Sequence, residues 1–260
     1  MNILVSNDDG IECPGLLTLV DQLSEIGDVY VVSPSVQQSA KSHAFTFKSV
    51  MQYEERTVPN AKKAYALWGT PVDCVHIGLE FLIKEKIDLV VSGINIGKNA
   101  GSDVIYSGTC GAAREGFLMG IPSIAMSYDD YSAKTYEEFE NAAYVAKVVA
   151  KRYMESDFSK DYFLNVNVPK GDLDKTKGIR ICNKYGQIVY GEQYTSFTEE
   201  GKTFIRIENG DHILKFDMND YDIDAAAVKA GYITIAPLMV DQISKNSIEE
   251  VQCIFKDVNM

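Results

Sequence analysis

The chain opens with a short apolar run, Asn2–Ser6, that stops at the polar tetrapeptide Asn7-Asp8-Asp9-Gly10. From Pro14 to Ile26 the apolar residues Leu16, Leu17, Val20 and Leu23 recur at helical spacing, which predicts a helix. Asp28–Ser33 is a second continuous strand, followed by a polar loop over Pro34–His43. Ala44–Tyr53 alternates weakly and reads as an extra strand or hairpin. Tyr65–Trp68 predicts another short strand that feeds Gly69-Thr70-Pro71-Val72-Asp73. There Thr70 suits an N-cap, Pro71 the first helical position and Asp73 the acid of a capping box, so a helix is predicted to about Lys84. Ile87–Ser92 is a further buried strand, leaving through Gly93-Ile94-Asn95 into a long glycine-rich loop. Cys110–Met119 reads as helix, Ile121–Ser127 as strand and Tyr136–Met154 as an amphipathic helix.

Strands that are apolar throughout and alternate with helices imply a mostly parallel sheet covered on both faces. The fold class is α/β, doubly wound and Rossmann-like, for a core of residues 1 to about 170. Beyond it the texture changes. Arg180–Phe216 is rich in Tyr, Ile, Thr and Gly, with turn signals at Tyr185-Gly186, Glu200-Gly201 and Asn209-Gly210, and reads as β-hairpins. Gly231–Leu238 returns to strand character, and the tail from Gln242 reads as a helix or an arm that docks on a partner. The expectation is one domain over 1–260, its hairpin extension and arm occupying about 171–260.

Composition narrows the function classes. A hydrophobic fraction of 46% with 24% charged residues is that of an ordinary globular chain. The N-terminus lacks the features of a signal peptide, and no apolar run approaches the roughly 18 residues of a membrane span, so a cytoplasmic protein is expected. The five cysteines, Cys13, Cys74, Cys110, Cys182 and Cys253, follow no CxxC or Cys/His spacing, which argues for free thiols over disulfides or zinc. A formal net charge of −12 repels DNA and RNA, and also any free anionic substrate. If the substrate is a phosphate ester, a bound divalent cation would reverse the potential locally.

Doubly wound sheets bind ligands outside the carboxyl ends of their strands, so polar residues there are the candidates. After the first strand come Asn7, Asp8 and Asp9; after the second, Ser33, Ser35, Gln37, Gln38 and Ser39; after the third buried strand, Ser92 and Asn95; and beyond the glycine-rich loop, Ser107–Thr109. Oxygen donors without His or Cys suit a hard cation such as Mg²⁺ or Mn²⁺. Two adjacent acids repel each other when buried unless a cation compensates them; helix capping is their competing reading. Glycines at 93, 97, 101, 108 and 111 let backbone approach a ligand, and Ser107-Gly108-Thr109 opens a helix whose N-terminus is an anion site. His43 is a candidate proton shuttle, weighed against an incidental loop histidine. His76 and His212 earn no role. Lys41 and Lys98 flank the site as candidates for steering phosphate, and Arg114 and Glu115 read as residues that pair with neighbours. Tyr106 and Tyr185 could stack on a base or simply belong to core or interface.

NDDG after an opening strand, SGIN-x-G-x-N-x-G, YSGT-x-GAAREG and GIPSIA-x-S, together with GTPVDCV, NVNVP and AGYITIAPL, resemble the SurE (survival protein E) family over nearly the whole chain. The resemblance implies a metal-dependent 5′/3′-nucleotidase acting on nucleoside monophosphates and sometimes on polyphosphate. It places one divalent cation per subunit on Asp8, Asp9, Ser39 and Asn95, and matches Asn99 and Ser107-Gly108-Thr109 to phosphate-side loops. It also implies a homodimer or homotetramer with an exchanged C-terminal arm. Two departures stand out. Ser39-Ala40 replaces the usual Ser-Gly, restricting the backbone beside a ligand, and Cys110 replaces a small aliphatic residue, which suggests thiol sensitivity near the site.

The implied mechanism is metal-assisted hydrolysis, with Asp8 and Asp9 as catalytic residues whose ligand and proton roles the sequence does not separate. An aspartyl-nucleophile phosphatase would present its acids two apart, and here they are adjacent. A receiver-like signalling module would need a phosphoacceptor Asp after the third strand, where Ser92-Gly93 stands, and a Lys after the fifth. A dinucleotide oxidoreductase would need GxGxxG where the two acids lie.

Overall fold

The computed structural model describes residues 1–260 apart from 158–160, 209, 242, 245–246 and 255–260. The chain begins with β1 (Asn2–Ser6), α1 (Pro14–Ser24) and β2 (Asp28–Pro34). Then come β3 (Tyr53–Arg56), β4 (Ala61–Leu67) and α2 (Pro71–Ile77), which runs into a single π-turn over Gly78–Leu82. β5 (Leu89–Ile96), a short α3 (Asp103–Tyr106), α4 (Gly108–Leu118), β6 (Ser123–Asp129), α5 (Tyr136–Glu155) and β7 (Phe163–Pro169) complete the core. The extension holds β8 (Ile179–Ile181), β9 (Ile188–Val189), β10 (Gln193–Glu199), β11 (Lys202–Glu208), β12 (Ile213–Leu214), α6 (Asp224–Lys229), β13 (Ile233–Leu238) and α7 (Ile248–Ile254).

Nine strands form one sheet in the order β3-β4-β2-β1-β5-β6-β7-β13-β8. From β4 to β7 every pairing is parallel; β3 joins β4, and β13 joins β7, antiparallel. The chain builds from β1 towards β4, then returns across β1 to add β5 on the other side. That reversal is the topological switch point, and it sets the loops after β1 and β5 side by side. Period-two alternation assigns the faces. Ile3 and Val5 pack with α1 and α5, whereas Leu4 between them packs with Tyr30, Val32 and residues of α2. Both faces are thereby covered, as the apolar strands require. Among the described residues no helix is long and apolar enough to cross a membrane.

Several boundaries differ from the sequence reading. No strand forms over 44–52; β3 starts at Tyr53. Side chains occupy the ladder groups there: Asp73 accepts from the Thr46 N–H and hydroxyl at 2.8 and 2.7 Å, the Thr70 hydroxyl donates to the Ala44 carbonyl, and Lys48 has φ +51°. The Thr70–Asp73 capping box forms as predicted, but its helix ends at Ile77 in the π-turn, before Lys84. β5 continues past Ser92 to Ile96 through a register shift against β6. β7 is an element the pattern did not reveal, because Asn165 and Asn167 interrupt its apolar run; α6 is another.

In the extension, β10 and β11 pair antiparallel around Glu200-Gly201. Tyr185-Gly186 is not a hairpin turn: β8 lies in the main sheet parallel to β13, and β9 pairs with β12. For the Asn209-Gly210 turn, Asn209 lies outside the described residues, as does Gln242 at the start of the tail; the tail's described part includes α7. All five cysteines are free, and only Cys253 is exposed.

Asp224 ties the extension to the glycine-rich loop. Its carboxylate accepts from the Gly101 N–H at 3.0 Å and from the Ala225 N–H at 2.7 Å. Burial outweighs these bonds and pushes its pKa from 3.8 to about 6. Between those values the folded state keeps a proton that the unfolded chain has shed. Stability therefore falls as pH rises through the window, by about 3 kcal/mol once complete. Asp224→Asn is expected to remove this slope. Urea unfolding at about pH 4.5 and pH 7.5 should show the variant gaining on the parent at the higher pH; a pH-independent difference would refute the assignment.

Candidate active site

The turn after β1 is closed by Asn7. Its amide donates to the Gly10 carbonyl at 2.9 Å, and its oxygen accepts from the Gly10 N–H at 3.1 Å and from the Ser33 hydroxyl. Asn7 thus shapes the turn, which leaves Asp8 and Asp9 on the rim beside β5. Asp8 is only 4% exposed and accepts the Thr109 hydroxyl at 2.5 Å. Asp9 accepts the Ile96 N–H at 3.1 Å and the Gln37 amide at 3.3 Å. The loop after β2 is drawn in by the Gln38 N–H, which donates to the Asp8 carbonyl at 2.7 Å.

Asn95 sits just past the β5 register shift, which re-aims the strand end towards the acids. Its Nδ2 donates to the carbonyls of Ile96 and Gly97, at 3.2 and 2.7 Å, and its Oδ1 faces the Thr109 hydroxyl at 3.4 Å. With the amide hydrogens engaged, the oxygen is the group left for a ligand. Ser39, Asp8, Asp9 and Asn95 line one cavity, together with Asn99, Ser107 and Lys98.

Electrostatically the acid pair is unfavourable by itself. Burial first, and then the neighbouring charge of Asp9, push Asp8 up to about 6 despite the Thr109 hydrogen bonds. Burial also raises Asp9, against the bonds from Ile96 and Gln37. Among the described residues no three His, Cys, Asp or Glu side chains cluster to hold a metal. A site here needs the Asn95 amide and the Ser39 hydroxyl to complete it. Such an oxygen-only set with two penalised carboxylates fits a hard divalent cation, whose charge would offset the burial.

Comparison with known proteins assigns the family. The sequence model of the family described as Survival protein SurE matches residues 3–190. The chain belongs to the SurE family. A 5′-nucleotidase SurE of Clostridium beijerinckii is 38% identical over 259 residues, covering 98% of this chain and 100% of that one. One of Clostridium botulinum (strain 657 / Type Ba4) is 36% identical over 259 residues, covering 98% and 99%. The crystal structure of the SurE protein from Aquifex aeolicus superposes with a TM-score of 0.79 at 32% identity, covering 98% of this chain and 99% of that one.

Within this SurE fold the other candidates divide. Ser107 lines the cavity and caps α4, accepting the Cys110 N–H at 3.0 Å. Thr109 is fully buried and gives both its hydroxyl and its backbone N–H to Asp8, so it orients that carboxylate. His43 does not line the cavity; its Nε2 pairs with Glu115 at 2.9 Å, and His76 Nδ1 pairs with the same carboxylate at 2.7 Å. The two imidazoles pin the loop after β2 to α4 and α2. Lys41 is also absent from the lining, whereas Lys98 is part of it. Cys110 is fully buried with its thiol pushed up to about 12 by burial, so the expected thiol sensitivity has no thiolate to act through. Ala40 has φ +57°, a region that costs a non-glycine residue on the order of 1 kcal/mol and accounts for the glycine usual there.

Gly108 is close-packed beneath the acids. A Cβ on it would lie 2.9 Å from Asp8 Cβ and Oδ2 and 3.1 Å from Pro71 Cγ. Gly108→Ala is therefore expected to displace Asp8 and cut turnover by about 10- to 100-fold, since small misplacements of reacting groups are costly. Phosphate-release kinetics beside a thermal melt would check this, and turnover near that of the parent would refute it.

Sequence reasoning missed the residues that hold Asn99. Asn167 Oδ1 accepts the Asn99 N–H at 2.8 Å, while Asn165 and Asn167 donate to the Asn99 carbonyl at 2.8 and 3.2 Å. The Asn99 side chain in turn donates to Ser127 at 2.9 Å. The signal was present in NVNVP: two amides on one face of a strand otherwise buried throughout need internal partners.

Proposed function

We propose that the protein is a divalent-metal-dependent phosphomonoesterase that hydrolyses nucleoside monophosphates. The observation that carries this reading is the acid pair at the switch point, Asp8 buried and Asp9 half-buried, sharing a cavity with Ser39 and Asn95. The activity of the curated relatives supports the 5′-ester; the 3′-ester rests on the family resemblance. A polyphosphate chain would have to pass Asp103 and Glu192, with Lys98 the one lining cation among the described residues, so it ranks below a nucleotide.

Asp8, Asp9, Ser39 and Asn95 would hold one cation, Mg²⁺ or Mn²⁺, which supplies Lewis-acid polarisation of the phosphoryl group and a more acidic water. Asp8, buried and tied to Thr109, serves as the fixed ligand. Asp9 is less enclosed, and its carboxylate takes the proton of the attacking water. The α4 N-terminus and the Ser107 hydroxyl face the phosphoryl oxygens and stabilise charge that shifts onto them. Asn99, clamped by β7, orients the group on its other side. We also propose that the chain forms homo-oligomers through the extension. The β10–β11 hairpin leaves Ile205 and Ile207 exposed, and a lone two-stranded hairpin is marginal without a partner.

The test is phosphate release from a panel of nucleoside monophosphates, with and without chelator, and after adding back Mg²⁺ or Mn²⁺. Activity is expected to vanish with chelator and return with metal. Chelator-resistant activity would overturn the metal-assisted reading, and an acid-stable phospho-aspartate after quenching would replace it with a covalent one.

A further inference from the structure

The cavity lined by Asp8 and Asp9 is far larger than a phosphate needs, at about 980 Å³, which is the size of sites for whole organic ligands. Its far wall comes from the extension. The Tyr185 hydroxyl bonds the Ser102 hydroxyl at 2.7 Å, and the same Ser102 oxygen accepts the Ile188 N–H at 2.8 Å. One residue on, Asp103 accepts the Tyr190 hydroxyl. Tyr190 then meets the Tyr106 ring edge-on, with centroids 5.6 Å apart at 85°.

Two tyrosines on this wall are fixed in place yet open to the cavity. Tyr106 is held through Tyr190 and remains 53% exposed; Tyr185 is held at its hydroxyl and remains 60% exposed. A large ring kept exposed and rigid inside the cavity is a surface for a flat ligand, offered at little conformational cost. The charge pattern excludes a second anion there. Asp103 and Glu192 line this part, and Lys98 is the one lining cation among the described residues. The ligand that suits it is neutral, planar and aromatic, attached to the group whose phosphate reaches Asp8 and Asp9.

We propose that Tyr106 and Tyr185 form the base-recognition surface of the enzyme, which selects nucleotides over sugar phosphates by stacking. This rests on the nucleotidase reading and adds a role for the extension: the core supplies the chemistry and Tyr106 of α3, and residues 185–190 supply the rest of the nucleoside wall. Because every base has a π-face, the surface accepts purines and pyrimidines, favouring the larger purines.

The first test compares kcat/KM for adenosine 5′-monophosphate and ribose 5-phosphate in the parent, Tyr106→Leu, Tyr185→Leu and the two Tyr→Phe variants. The ratio between the substrates should fall about 10-fold in each Leu variant through KM for the nucleotide, and Phe should restore it. Both substrates falling alike, or an unchanged ratio, would overturn the proposal. The second test needs no reaction: calorimetric titration with adenosine and with ribose, in chelator. Adenosine is expected to bind the parent more tightly than ribose, and each Leu variant should lose that preference. Equal binding overturns the base surface even in an active enzyme. Preferential adenosine binding by a chain that releases no phosphate from any nucleotide would leave the surface standing and sink the hydrolase reading.

Discussion

Asp8→Asn is expected to lower phosphate release from nucleoside monophosphates by on the order of 10³-fold while leaving the fold at least as stable as the parent's. The two effects have one cause. The parent buries a carboxylate beside a second one, with Thr109 as its side-chain donor, and burial holds its pKa near 6. An amide has nearly the same shape, still accepts from Thr109, and carries no charge to desolvate. At neutral pH it therefore relieves a destabilising term and removes the charge that would hold a cation. Turnover, metal titration and thermal melting on one preparation separate the outcomes. A variant that loses both activity and stability would mark Asp8 as structural, and one that keeps turnover within tenfold would remove it from the mechanism.

Phe139→Ala is expected to cost about 3–5 kcal/mol, a large share of the roughly 5–15 kcal/mol typical of a whole protein. Phe139 is among the largest fully buried side chains and lies on the inward face of α5. Its ring meets Tyr128 of β6 at 5.7 Å and packs over Gly15 of α1, where a Cβ would come within 3.2 Å of it. This is where the α1–α5 layer meets the sheet, and the same Cβ would come closer still to the Ile94 carbonyl oxygen, just before Asn95. Truncation opens a void that close-packed neighbours cannot refill. The urea midpoint should drop with the m-value unchanged; a loss under about 1 kcal/mol would mean that the layer can collapse around the gap.

Most of the core was legible in the chain because it follows local rules. The apolar strands β1, β2 and β5, the helix α5 and the Thr70-Pro71-Asp73 cap are each announced within a few residues. The acid pair was equally visible, since consecutive carboxylates after a strand are uncommon without a use. Where the reading failed, a distant partner had overridden local preference. Asp73 and Thr70 took the backbone and side-chain bonds of 44–46 that a strand would have used. The amides of β7 found Asn99 more than sixty residues away, so a strand with polar insertions could still be buried.

By itself, then, the sequence determined the α/β class, the order of the elements around the switch point and the residues able to offer oxygen donors. Tertiary structure alone decided how those residues are used. It turned Thr109 onto Asp8, 101 residues away, set His43 on Glu115, and brought Tyr185 and Tyr190 from the extension to Ser102 and Asp103. The physical reason is that backbone periodicity is a property of neighbouring residues, whereas the partner of a buried polar group is whatever packing brings within about 3 Å of it.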